Sequence, residues 1–151
     1  MKNPTALVPP EKVQILLVDD NPHGLIARKM LLEEIGYKVT TASCAEDALE
    51  YFSKLHYDLV VTDHKMPRIT GIELIHKIRT MQPSTPIIML SGFVEALGLD
   101  EQMTGADLVI AKSANEVNHL VRGAARLLNP RCPKKPVKSY KKTQLSRAQG
   151  A

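Results

Sequence analysis

Four short apolar runs in the chain each lead into polar residues. The first, VQILLVDD at residues 13–20, carries aliphatic side chains directly into two adjacent aspartates. An apolar run of this length without polar alternation is typical of a strand buried on both faces, as in a parallel sheet covered by helices. If the strands are parallel, their polar ends meet at one edge of the sheet, where open α/β sheets hold ligands. The later runs are Leu59–Thr62 before Asp63, Ile87–Leu90 before Ser91, and Leu108–Ala111 before Lys112.

Helical patterns separate these runs. Asn21 followed by Pro22 predicts a helix start, and Gly36 predicts its end. Two capping boxes, Ser43 with Glu46 and Ser113 with Glu116, predict the starts of two further helices. The apolar positions predicted to face the core in the successive helices are Ile26, Ala27, Met30, Leu31 and Ile35; Ala45, Leu49, Phe52 and Leu55; Ile72, Leu74, Ile75 and Ile78; and Val117, Leu120, Val121, Ala124 and Leu128.

The alternation of these elements predicts the fold class. Residues Lys38–Ala42 alternate in polarity and suit an edge strand, whereas the stretch from Ser91 to Gly105 has only a weak helical signal because Gly98 falls inside it. Strand and helix alternate five times along the chain. We therefore predict an α/β fold of the (βα)5 type, a doubly wound five-stranded parallel sheet in three α/β/α layers.

Length and charge predict one domain with an appendage. We expect a flexible leader over residues 1–11, a folded domain over 12–129 and a basic tail over 130–151 that is disordered in isolation. Residues 1–129 carry 13 Lys and Arg against 16 Asp and Glu, a net charge of −3, whereas residues 130–151 carry seven basic residues and no acid. We interpret the tail as a solvated terminus, with weak nonspecific contact to nucleic acid, an anionic membrane or an acidic partner as the alternatives.

Several other classes of function find no support in the sequence. No apolar run approaches the roughly 20 residues of a membrane span, and the start lacks the apolar core of a signal peptide, so we expect a cytoplasmic location. Cys44 and Cys132 have no metal-ligand spacing and are predicted to be free thiols. The histidines show no zinc spacing. Walker-type, GxGxxG and GxSxG motifs are absent from the sequence, which argues against nucleotide, dinucleotide and hydrolase functions.

The residues at the predicted sheet edge point to phosphoryl chemistry. Asp19, Asp20 and Asp63 would repel one another unless a cation lies among them, and oxygen ligands of this kind favour a hard ion such as Mg²⁺. Three carboxylates, one lysine and one Mg²⁺ sum to zero charge, so the site could receive an anionic group. A carboxylate can attack phosphorus while Mg²⁺ and Lys112 neutralise the phosphoryl oxygens, and Ser91 adds a hydroxyl donor.

The same residues resemble those of a known family, the receiver (CheY-like) domain of bacterial two-component response regulators. The resemblance covers roughly residues 13–128, and it implies the strand order 2-1-3-4-5. It rests on the aspartate pair after the first strand, the VVTDHKMP segment, Ser91-Gly92, Lys112 and the GAD segment at 105–107.

The resemblance also implies roles for individual residues. Asp63 would accept a phosphoryl group from the phosphohistidine of a sensor kinase or phosphotransfer protein. Asp20, Asp63 and the backbone carbonyl of Lys65 would bind Mg²⁺, with Asp19 contributing largely through water. Ser91 and Lys112 would move toward the phosphoryl group. The change would then pass to a partner-binding surface built from helix 4, strand 5 and helix 5.

This chain departs from the family pattern near that surface. Val109 stands where an aromatic residue often rotates with the hydroxyl, and Ser113 stands where proline commonly follows the lysine. We interpret the chain as a response regulator whose protein contacts are switched by phosphorylation of Asp63. It would catalyse its own phosphoryl acceptance and slow hydrolysis, and it is a signalling switch more than a metabolic enzyme. A receiver-like scaffold that acts independently of phosphorylation is one alternative, and a receiver whose tail contacts nucleic acid or membrane is another. A third is that these residues are the front of a longer protein, with the tail as a linker. Sequence-specific DNA binding is not expected, because no helix-turn-helix follows the domain.

Overall fold

The computed structural model describes residues 9–92 and 98–129. All strand pairs in the described residues are parallel, and they form one five-stranded sheet in the order 2-1-3-4-5. This arrangement confirms the predicted topology and the edge position of the alternating KVTTA segment. The strands are β1 (Gln14–Val18), β2 (Lys38–Ala42), β3 (Leu59–Asp63), β4 (Ile87–Ser91) and β5 (Leu108–Ala111).

Helices cover both faces of the sheet. They are α1 (Pro22–Ile35), α2 (Ala45–Lys54), α3 (Gly71–Met81), the short α4 (Glu101–Thr104) and α5 (Glu116–Leu128), and a 3-10 turn at Pro10–Lys12 precedes β1. No helix among the described residues combines the length and the apolar composition needed to cross a bilayer.

The sheet separates two hydrophobic cores. Because successive strand residues point to opposite faces, Leu16 packs with α2 and α3 while its neighbour Leu17 packs with α1 and α5. Burying each such side chain contributes about 1.5–3 kcal/mol relative to its exposed state. These two cores hold the carboxyl ends of the strands in register, so the polar residues that follow them have a rigid base.

The face of α1 toward the sheet differs from the predicted one. Four residues that were predicted to face the core are exposed instead: Ile26 (57%), Met30 (65%), Ile35 (38%) and Ala27. The buried residues of this helix are Arg28 and Leu32. The prediction was wrong because the apolar pattern could not count an arginine as a core-facing residue. Arg28 is buried together with two carboxylates, which are described below.

The predicted helix starts are correct in one case and displaced in two. The Asn21 side chain accepts hydrogen bonds from the first turn of α1, as predicted. Both predicted capping boxes are wrong. The cap of α2 is Cys44, whose sulfur accepts a hydrogen bond from the Asp47 N–H at 3.5 Å. The cap residue of α5 is Asn115, whose side chain makes no capping hydrogen bond.

The two glutamates of the predicted capping boxes pair with arginines instead. Glu46 accepts a hydrogen bond from Arg68 at 2.6 Å, and Glu116 accepts hydrogen bonds from Arg28. A carboxylate pairs more strongly with a charged guanidinium than with an uncharged backbone N–H, so both side chains turn from the capping position to the arginines.

Two further predicted core positions, outside α1, are exposed. Leu55 lies beyond the end of α2 and is 60% exposed, and Val117 in the first turn of α5 is 50% exposed. The apolar face of α3 is confirmed. That helix also has a capping box between Thr70 and Glu73, which the motif in the sequence would have predicted.

The weakly helical stretch from Ser91 to Gly105 is described in part, since residues 93–97 lie outside the described residues. Gly98 has a φ of +62°, and α4 begins only after Asp100, whose carboxylate accepts a hydrogen bond from the Met103 N–H at 2.7 Å. The predicted interruption at this glycine therefore agrees with the backbone. Cys44 is a free thiol, whereas residues 1–8, Cys132 and the basic tail lie outside the described residues.

Candidate functional site

Three carboxylates meet at the carboxyl edge of the sheet. Asp19 and Asp20 follow β1, and Asp63 ends β3, the strand next to β1. Carboxylate oxygens of these residues, one from each, all lie within 4.8 Å of one another. Asp19 and Asp63 are buried, whereas Asp20 is exposed. The parallel sheet therefore brings Asp63 next to a pair of aspartates that lie more than 40 residues earlier in the sequence.

Lys112 reaches the same site from β5. Its ammonium lies 2.6 Å from one carboxylate oxygen of Asp63, and its backbone N–H donates a hydrogen bond to the Ser91 carbonyl at 2.9 Å. Burial raises the pKa of Asp63, although the hydrogen bond and the charge of Lys112 oppose the rise; the charge of Asp19 adds to it. The environment thus holds a buried carboxylate beside both a cation and a second carboxylate.

Ser91 and Lys65 lie on the same side of the sheet. Ser91 ends β4, is 1% exposed and pairs with Ala111, while its neighbour Leu90 pairs with Asp63. Lys65 follows Asp63 by two residues in the loop before α3. All six residues predicted for the site therefore come from the carboxyl ends of four neighbouring strands or from the loops directly after them.

A close backbone contact positions Asp63. The N–H of Gly71 donates to the His64 carbonyl at 2.8 Å, so the loop between β3 and α3 closes on itself. A Cβ at position 71 would lie 2.2 Å from the Asp63 carbonyl oxygen and 2.9 Å from the His64 Cα. Only glycine fits at this approach. Met66, in the same loop, is 5% exposed and packs in the core.

Arg28 is a site residue that sequence reasoning missed. Its guanidinium donates to one oxygen of Asp19 at 2.5 Å and to both oxygens of Glu116 at 2.9 and 3.3 Å. Gly24, one turn earlier, leaves room for this contact, because a Cβ there would lie 2.9 Å from the guanidinium and 3.0 Å from Asp19. No local signal reveals this network, since Arg28 and Glu116 are 88 residues apart.

Arg28 stays charged in the interior, and its charge enters the balance of the acidic site. Burial alone would lower the pKa of Arg28, but its hydrogen bonds and ion pairs with Glu116 and Asp19 raise the pKa above the usual value, so it stays charged. Four carboxylates and two cationic side chains leave a net charge of −2, which one divalent cation would cancel. An oxygen-only donor set suits a hard cation such as Mg²⁺. The residues present therefore fit such an ion.

Comparison with known proteins agrees with this arrangement. The family model of the response regulator receiver domain matches residues 15–122. The chain belongs to this family. As a receiver domain it is 34% identical over 132 residues to the alkaline phosphatase synthesis transcriptional regulatory protein PhoP of Bacillus subtilis, a match that covers 83% of this chain and 54% of PhoP. It is 40% identical over 87 residues to the sensor protein EvgS of Escherichia coli K12, covering 58% of this chain and 7% of EvgS.

Solved receiver structures share the fold. The response regulator TrrA of Thermotoga maritima, solved in complex with Mg²⁺-BeF, has a TM-score of 0.69 and 34% identity, and the match covers 76% of this chain and 98% of TrrA. A receiver domain protein from Clostridium thermocellum has a TM-score of 0.70 and 29% identity, with 78% and 94% covered. The chain spans only part of the curated relatives it matches, 54% of PhoP and 7% of EvgS.

The GAD segment of this receiver domain has a structural role. The carboxylate of Asp107 accepts hydrogen bonds from the Ile87 N–H at 2.8 Å and from Arg79 at 3.0 Å. Gly105 has a φ of +84° and ends α4, and its carbonyl accepts two hydrogen bonds from the same arginine. This network lies at the amino ends of β4 and β5, opposite the acidic site, and it ties α3 to both strands.

Proposed function

We propose that this receiver domain is the phosphoacceptor of a two-component phosphorelay and that Asp63 carries the phosphoryl group. The observation that supports the proposal is the position of the Asp63 carboxylate, which lies 2.6 Å from Lys112 and within 4.8 Å of two further carboxylates. This donor set combines a nucleophile, a cation and a candidate metal site at one edge of the sheet. A sensor histidine kinase or a phosphotransfer protein would supply the phosphoryl group.

Transfer requires one bond to form and one to break. A carboxylate oxygen of Asp63 attacks phosphorus, an O–P bond forms, the N–P bond of the donor phosphohistidine breaks, and the imidazole leaves with the electron pair of that bond. Lys112 favours the ionised, nucleophilic form of Asp63 and faces the negative charge that the phosphoryl group brings. Ser91, at the end of the adjacent strand, would donate its hydroxyl to a phosphoryl oxygen.

The acidic residues would hold Mg²⁺. Asp20, Asp63 and the backbone carbonyl of Lys65 are the proposed ligands, with Asp19 acting largely through water. When bound, Mg²⁺ would neutralise charge on the phosphoryl oxygens. The chain's own residues orient the acceptor: Gly71 fixes the Asp63 backbone, and the two sheet neighbours of β3 fix its strand.

Output would follow from the movement of Lys112. The backbone N–H of this lysine donates to the Ser91 carbonyl just beyond the end of β5, and the loop that leads into α5 follows directly. A phosphoryl group adds up to about two negative charges and three acceptors at Asp63, so Lys112 would be drawn toward it. We propose that the surface formed by β5, α5 and the segment before β5 passes this change to a partner protein, and that the protein acts in the cytoplasm.

Labelling with a small phosphodonor tests the assignment. Wild-type protein incubated with acetyl phosphate and Mg²⁺ should gain the mass of one phosphoryl group, which hydroxylamine should remove because an acyl phosphate is labile to it. Asp63→Asn should abolish labelling. Asp47→Asn is the matched control, because it makes the same chemical change at an exposed position on α2. Undiminished labelling of Asp63→Asn would overturn the proposal.

Partner capture tests the output. Protein treated with beryllofluoride, which imitates the phosphoryl group, should retain a different set of partners from untreated protein, and the Asp63→Asn variant should show no difference between the two conditions. Equal capture by treated and untreated wild type would favour a scaffold that is independent of phosphorylation. The observation that motivates this second candidate is Val109, which is partly buried against the core and offers no aromatic ring to rotate.

A further inference from the structure

Arg28 forms a buried bridge between the acidic site and the start of α5. Its side chain is 10% exposed, and its partners Asp19 and Glu116 are 2% and 15% exposed. Charges this far from solvent are screened little by salt, so their interactions are stronger than those of a surface pair. The guanidinium binds Glu116 through two nitrogens and Asp19 through the third.

Both carboxylate oxygens of Asp19 already have donors. One accepts the hydrogen bond from Arg28 at 2.5 Å, and the other accepts the backbone N–H of Asn21 at 2.9 Å. A cation that approaches the acidic site meets an Asp19 whose charge is partly offset by a neighbouring guanidinium. The same guanidinium repels the incoming cation. Arg28 therefore opposes cation binding at the site that contains Asp19.

Glu116 determines how strongly Arg28 opposes that binding. The bidentate contact with Glu116 offsets part of the guanidinium charge, and it holds the arginine toward α5. Without Glu116, Asp19 would be the only carboxylate left in the network to pair with Arg28. The two carboxylates thus compete for one arginine, and occupancy of the ion site is linked to the contact at the first residue of α5.

We propose that Arg28 is a positioning residue that competes with the divalent cation for Asp19, and that Glu116 weakens this competition, which couples ion affinity to the start of α5. This inference rests on the proposed function, because it concerns the cation of that site. By linkage, cation binding at the site should weaken the bond between Arg28 and Asp19 by the same factor by which that bond weakens cation binding.

Two single substitutions should change Mg²⁺ affinity in opposite directions. Arg28→Met removes the competing charge, so its Mg²⁺ dissociation constant, measured by titration calorimetry on the full chain without phosphodonor, should fall by about tenfold. Glu116→Gln removes the second carboxylate, so that Arg28 pairs with Asp19 alone. The Mg²⁺ dissociation constant of this variant should rise by about the same factor. A residue with a merely structural role would weaken binding in both variants.

A double variant separates direct competition from net charge. Arg28→Met combined with Glu116→Gln keeps the net charge of the wild-type network, yet it frees Asp19. It should therefore bind Mg²⁺ more tightly than wild type. Lys29→Met is the matched control, because it removes one cation from the same helix, where Lys29 pairs with Glu33 at an exposed position. The affinity of this control should stay within about twofold of wild type.

The outcomes are distinct from those of the proposed function. If wild type binds Mg²⁺ but Arg28→Met binds it no more tightly, the inference about Arg28 is wrong and the phosphoacceptor assignment stands. If wild type binds no Mg²⁺, both are wrong. Thermal unfolding without metal checks that each variant is folded. Should Arg28→Met fail to fold, Glu116→Gln decides the matter, and unchanged affinity in that variant would contradict the inference.

Discussion

Replacing Gly71 by alanine should disturb the site through the backbone alone. The added Cβ would lie 2.2 Å from the Asp63 carbonyl oxygen and 2.9 Å from the His64 Cα. Both contacts are with backbone, which cannot move away as the end of a long side chain can. Non-bonded carbon atoms are comfortable at roughly 3.5–4 Å, so the loop or the start of α3 must shift by about 1 Å.

The cost can be estimated from similar overpacking. Inserting a methyl group into a well-packed site costs about 1–3 kcal/mol and sometimes more, whereas alanine gains at most about 1 kcal/mol over glycine in a helix. We expect a net loss of about 2 kcal/mol in the free energy of unfolding. With a urea m-value of about 1–3 kcal/mol per molar, the unfolding midpoint should fall by about 1 M.

Urea unfolding followed by circular dichroism measures this loss. Gly92→Ala is the matched control, because Gly92 is exposed and a Cβ there would meet nothing within 4 Å. Its midpoint should stay close to that of wild type. Since the clash displaces the Asp63 backbone, Gly71→Ala should also be labelled more slowly by acetyl phosphate. A Gly71→Ala variant within about 0.5 kcal/mol of wild type and labelled at the wild-type rate would refute the argument.

Two further predictions concern the site and the α5 core. Burial raises the folded-state pKa of Asp63, so its contribution to stability is greatest below the unfolded pKa of about 3.9 and is lost as the pH rises through the folded value. Asp63→Asn should therefore unfold at a higher temperature than wild type at pH 7.5, with a gain that shrinks toward pH 4; an equal or larger gain at low pH would contradict this. Gly123→Ala should cost less than Gly71→Ala in the same urea assay, because its Cβ would lie 2.4 Å from the end of the Leu108 side chain, which can rotate; a larger loss would count against the comparison.

Local sequence patterns were sufficient for the sheet and for most of the site. Each apolar run identifies its own strand, and the polar residue at its end needs no tertiary information to be placed at the sheet edge. Once the strands are parallel, Asp19, Asp63 and Lys112 must lie at the same edge. The ion pair of Lys112 with Asp63 and the clustered carboxylates follow from that rule.

The chain alone therefore determined the alternation of five strands with helices, the edge at which the acids gather and most of the residues that line it, whereas the spatial order of the strands came from the resemblance to receiver domains. The tertiary structure decided which face of α1 is buried and which arginines pair with Glu46 and Glu116. It also decided that position 71 must be glycine. The physical reason is the range of the interactions. The spacing of apolar residues is visible within a few residues of sequence. Arg28, in contrast, is stable in the interior only because it pairs with carboxylates that lie 9 and 88 residues away along the chain.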